Sequence, residues 1–160
     1  MPSDPIRDFE HDHAHVNALV SKIRELLAAA EARATPSAEQ NQGLARAFDE
    51  LRDALLAHFA REEEALFPFI ARQLPEFADA VERLQLSHDA LCGTVLRISY
   101  LATASRGADT APLIRILELF DRFDAAYEIH ARDESDLLSA VSAHLDPHQR
   151  RELAGLIEGL

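Results

Sequence analysis

His58-Phe-Ala-Arg-Glu62-Glu63-Glu64, continued by Ala65-Leu-Phe-Pro68-Phe69, sets an imidazole and a carboxylate one helical turn apart. On a helix, residues at this spacing share a face with side chains about 5–6 Å apart. His58 and Glu62 can therefore offer nitrogen and oxygen to one metal ion or to two adjacent ones. A His-x3-Glu spacing arises often by chance in a glutamate-rich chain, and its weight comes from a second copy. Phe48 through Glu62 aligns with Phe120 through Glu134 at an offset of 72 residues, matching His58 to His130 and Glu62 to Glu134. Asp12-His13 through Ile23 likewise aligns with Ser87-His88 through Ile98 at an offset of 75. Each half supplies a lone histidine and then His-x3-Glu, as a helical hairpin used twice would. The pseudo-twofold symmetry this implies suits two metal ions sharing bridging carboxylates.

Apolar periodicity around these residues gives the fold class. Asp4-Pro5 is a helix start, an N-cap followed by proline in the first turn. Ile6, Phe9, His13, Val16, Val20, Ile23 and Leu27 then recur at spacings of three and four, the seam of a bundle helix. Ala34-Thr-Pro-Ser37 interrupts it. A second helix carries Leu44, Phe48, Leu51, Leu55, His58, Glu62, Leu66 and Phe69 and stops before Leu74-Pro75. The third opens at that proline with Phe77, Val81, Leu84, His88, Leu91, Val95 and Ile98. A loop over residues 105–112 follows, with Gly107 suited to a C-terminal cap. The fourth helix carries Leu113, Ile116, Phe120, Phe123, Tyr127, His130, Glu134, Leu137 and Val141, and Asp146-Pro147 starts a short fifth that ends near Leu160. Nothing reads as a strand. Short connections between long helices imply antiparallel neighbours, so the expected architecture is all-α: an up-down-up-down four-helix bundle over about 4–145, with a C-terminal helix over about 147–158, in a single domain spanning 1–160.

Composition narrows the function classes. The chain has 160 residues, 48% of them apolar, enough for one ordinary core. No apolar run reaches the length of a membrane span, and the N-terminus lacks a signal-peptide pattern, so a cytoplasmic location is expected. The single cysteine, Cys92, excludes an intramolecular disulfide and a cysteine-based zinc site. A net charge of −12 argues against nonspecific binding to nucleic acid or an anionic membrane.

Eight histidines are the unusual feature of the composition. His13, His58, His88 and His130 fall on the apolar seams together with Glu62 and Glu134. His11 and His15 flank the first seam, and a modest change of phase would bring either inward; His144 and His148 sit at or beyond the end of the fourth helix. Six unpartnered polar residues in an apolar core would cost several kcal/mol each. At 1.5 Å per residue, His13 lies roughly 30 Å before the first turn of the chain and His58 about 30–35 Å after it. The other pairs match across their turns to within about two helical turns, so four imidazoles and two carboxylates gather in roughly one layer, a metal site's inventory. Such donors suit iron, manganese or zinc rather than calcium or copper(I). A ferritin-like ligand set would want two Glu-x-x-His motifs, and Glu10-x-x-His13 alone fits. Glu63 and Glu64 read as a solvated charge run, with a contact to a ligand histidine as the functional alternative. Cys92 reads as a small buried hydrophobe and Tyr127 as core, the alternatives being metal contact and a hydrogen bond into the site.

On His13, His58-x3-Glu62, His88 and His130-x3-Glu134, with Leu66-Phe67-Pro68 in a familiar context, the chain resembles the hemerythrin-like, or HHE cation-binding, family from about Asp4 to Leu145. The resemblance implies a four-helix bundle around a non-haem di-iron centre, two irons with an oxo or hydroxo bridge, the histidines as terminal ligands and the two glutamates as bridges. It implies a small-molecule partner such as dioxygen, peroxide or nitric oxide, bound, carried, sensed or turned over; a structural metal in a partner-binding bundle is the remaining alternative. The chain departs from oxygen-carrying hemerythrins at two points. Cys92 stands where those carry a fifth histidine, and Glu134 at His-x3 spacing replaces their His-x4-Asp, with Ser135 at the longer spacing.

Overall fold

The computed structural model describes residues 4–33, 36–104 and 112–160. Among them every regular element is helical. Helix α1 (Pro5–Glu31) starts where the Asp4 side chain accepts from the Ile6 N–H. Helix α2 (Ala38–Arg61) starts on a capping box, in which the Ser37 hydroxyl accepts from the Gln40 N–H while the Gln40 side chain accepts from the Ser37 N–H. Ala34, Thr35 and the expected Gly107 cap lie outside the described residues.

The second helix differs from the continuous α-helix its stripe suggested. After Arg61 it widens into a π-helical turn, Glu62–Leu66, and resumes as α3 (Phe67–Gln73). Pro68 supplies the reason: it has no N–H to donate, and in an α-helix its ring would press on the carbonyl four residues back. The wide turn absorbs this, the Phe67 N–H reaching back to Glu62 O. Leu74 and a 3-10 turn at Pro75–Phe77 then reverse the chain into α4 (Ala78–Ala104). Helix α5 (Leu113–His144) completes the bundle, and α6 (Pro147–Glu158) begins at a second capping box, Asp146 with Gln149.

The chain is an all-α bundle with a short C-terminal helix. Helix α1 packs on α2, α2 on α4, α4 on α5, and α5 back on α1. The expected seams are the buried faces: Val16, Ile23, Leu51, Leu55, Leu91, Val95, Phe120 and Phe123 belong to one apolar cluster. A second cluster, with Ile6, Phe9, Leu66, Phe69, Ile70, Leu84, Leu137 and Val141, fills the other end, where Leu153 of α6 inserts. Arg150 clamps α6 by donating to Asp4 and to the Ser142 carbonyl. Between the clusters lies a polar layer, with His13 following Phe9 and preceding Val16, and His88 between Leu84 and Leu91. No described helix is long and apolar enough to cross a membrane.

Candidate metal centre

Each long helix delivers its polar residues to this layer because they occupy seam positions. A helix that buries Phe9 and Val16 must also bury His13, and one that buries Leu55 must bury His58. All six residues singled out by spacing are buried: Glu62 and Glu134 have no exposed surface, and His13, the most open, retains 8%. His11 and His15 point to solvent, as do His144 and His148, which settles the phase of α1 in favour of His13.

The six converge. Glu134 Oε2 lies 2.6 Å from His13 Nε2, 3.4 Å from His130 Nε2 and 3.5 Å from His58 Nε2. Glu62 Oε2 lies 3.0 Å from His88 Nε2 and 3.7 Å from His58 Nε2. Ring centroids of His13 and His58 stand 5.1 Å apart, as do those of His88 and His130. Despite this crowding, the four Nε2 atoms and the four carboxylate oxygens make no hydrogen bond within the protein. Buried polar atoms are nearly always paired, and eight unpaired ones pointing at one another form a donor set. Three groups have ligand atoms within 4.8 Å of one another: His13/His130/Glu134, Glu62/His88/His130 and His58/Glu62/Glu134. The six residues therefore fit a metal centre. Cys92, half-buried, belongs to none of these groups.

Burial and mutual repulsion drive the two carboxyls apart. Burial, then the nearby Glu134 charge, push the Glu62 carboxyl well above the ordinary carboxylate range. Burial also pulls on Glu134, but its contacts with His13, His130 and His58 together outweigh it and hold that carboxyl well below. Without a cation, the layer favours the protonated form of Glu62 and the charged form of Glu134. Burial draws His88 down to about 4, against the opposing pull of Glu63.

Several residues around the centre escaped the sequence. Phe59 stacks on the His88 ring at 3.7 Å and 13° and meets His130 edge-on at 5.2 Å. Phe67 stacks on His88 from 5.4 Å. His130 Nδ1 lies 3.0 Å from Ser87 Oγ. Glu63, for which the sequence offered solvation or a contact to a histidine, remains exposed and reaches back to within 2.7 Å of His88 Nδ1. Asp12, bound by Arg61, stands 4.0 Å from His58 Nδ1. The signal was in the repeat: Asp12 and Ser87 occupy the same place before the lone histidine of each half. Tyr127 is core, and its hydroxyl donates to Asn17 Oδ1 at 2.8 Å rather than to a candidate ligand. Burial raises its pKa.

A helical bundle whose interior presents imidazole and carboxylate donors from four helices is compatible with metal binding. The hemerythrin HHE cation-binding domain model matches residues 4–139, and the chain belongs to that family. No curated protein matches the chain, and no solved structure does.

Proposed function

We propose that this chain, as one domain over residues 1–160, is a non-haem di-iron protein that binds or reacts with a small oxidant such as dioxygen, peroxide or nitric oxide. In this reading His13, His58, His88 and His130 are terminal ligands and Glu62 and Glu134 bridge. The observation that carries it is the set of eight buried, unpaired donor atoms facing one another. Divided between two cations they give each about four protein bonds. Iron bound there would supply redox change and open coordination positions. The protein's own part is to hold the donors in a dry layer between two apolar clusters and to release the Glu62 proton as a cation arrives. A cleft of about 220 Å³ between α1 and α2, walled by Asp12, His15, Ala57, His58 and Arg61, gives a small molecule an approach from the His58 side. A cytoplasmic location is part of the same proposal.

Protein produced with ample iron is expected to hold about two ions per chain and to show the absorption of a bridged ferric pair. Less than half an ion per chain, with no such band, would overturn the proposal. Stopped-flow mixing of the reduced protein with oxygen, peroxide and nitric oxide then separates two behaviours. A reversible adduct marks a carrier or sensor, and repeated consumption of oxidant marks an enzyme.

A further inference from the structure

The candidate ligand rings differ in what holds the nitrogen that faces away from the centre. His88 Nδ1 has Glu63 Oε1 at 2.7 Å, and His130 Nδ1 has Ser87 Oγ at 3.0 Å. His58 Nδ1 makes no hydrogen bond, its nearest carboxylate at 4.0 Å being engaged with Arg61. In the internal repeat Asp12 corresponds to Ser87, and Glu63 to Ser135. The inner donors of the two halves are duplicated, whereas their outer supports are not.

Two features bring Glu63 to His88. The π-helical turn presents Glu62 to the interior and its neighbour Glu63 across to α4, with 45% of the Glu63 side chain still exposed. Phe59 and Phe67 both stack near-parallel on the His88 ring, at 13° and 20°, and fix its plane. With Nε2 turned to the centre, Nδ1 is aimed at Glu63. A carboxylate accepting from the far N–H of a ligand imidazole selects the tautomer and makes the ring a stronger donor.

We propose that Glu63 is a positioning residue that makes the two cation positions unequal. By accepting the Nδ1–H of His88 it favours the group Glu62/His88/His130, so that this end of the centre fills first and holds its ion more tightly. The inference rests on the two-cation reading of the centre.

Titration of metal-free protein with Co²⁺, followed by d–d absorption and by calorimetry, tests it. Wild type is expected to bind in two steps. Glu63→Ala should weaken the tighter step about 10–100-fold, leave the weaker step nearly unchanged, and alter the spectrum of the first-bound ion. Glu63→Gln, which can still accept from Nδ1–H but carries no charge, should fall between. The metal-free melting temperature of both variants should stay near that of wild type. Glu63→Ala binding both ions with wild-type affinities and spectrum would overturn the proposal. So would equal weakening of both steps together with a lowered metal-free melting temperature, which marks a merely structural residue. Wild type that takes up no Co²⁺ would overturn the two-cation reading and this inference with it.

Discussion

Glu62→Met is expected to deprive the protein of metal and yet to make its metal-free form more stable. Glu62 is fully buried, and neither of its oxygens is hydrogen-bonded within the protein. An unsatisfied buried polar group costs about 1–3 kcal/mol on the scale of protein mutations. Methionine has similar length, carries no oxygen to desolvate and adapts to irregular space. Metal-free Glu62→Met should therefore gain about 1–3 kcal/mol over metal-free wild type, or about 2–4 °C of melting temperature per kcal/mol for a domain of this size. With metal in excess the order should reverse. Wild type then gains the binding free energy, about 2.7 kcal/mol per site at a hundredfold excess over Kd, which the variant, lacking one carboxylate of the donor set, forgoes. Urea unfolding in chelator and in saturating Co²⁺ measures both. A metal-free variant less stable than wild type by more than about 1 kcal/mol, well outside ordinary surface effects, would refute the reasoning, because it would show that the carboxyl is satisfied inside the fold.

His88 should contribute a loss of stability to the metal-free protein as pH falls from about 6.5 to 4. His88 is held neutral in the fold down to about 4 but takes a proton near 6.5 when unfolded, so in that window the unfolded chain binds more protons and stability falls with falling pH. Glu62 acts oppositely, since its raised pKa favours the fold at low pH and withdraws that support as pH rises. Urea midpoints in chelator should thus fall more steeply with acid in Glu62→Met than in wild type, and less steeply in His88→Gln; equal slopes in all three would exclude this account. His11→Ala and His15→Ala, both at exposed positions, should keep the metal content of wild type, while His13→Ala should lose an ion, as metal analysis will report. Leu153→Ala, which empties a fully buried position where α6 meets the second cluster, should cost about 2–5 kcal/mol in urea unfolding without changing the ions bound per chain.

Much of this was legible in the chain because it is local. The alternation of three and four that carries Phe9, His13 and Val16 follows from helix geometry, and so does the return of His58 and Glu62 to one face. The 72-residue repeat then pairs them with His130 and Glu134 without reference to a fold. The π-helical turn was less legible. Pro68 marked it, but the stripe from His58 to Phe69 runs through the turn with α-helical spacing, so periodicity alone gave no sign. For Glu63 the sequence left two readings, solvation and a contact to a histidine, because its partner lies 25 residues away on α4.

Residue order by itself determined the number of bundle helices, the faces they bury and the identity of the six polar residues of the central layer, since all three depend on spacings within one helix or its copy. Only the tertiary structure decided which nitrogen of each ring faces the centre, that Phe59 and Phe67 clamp His88, and that the pKa values of Glu62 and Glu134 are shifted in opposite directions. Those properties depend on distances of a few ångströms between side chains on different helices. At that range a fraction of a turn, such as the one Pro68 imposes, decides whether a carboxylate reaches a ring nitrogen on another helix.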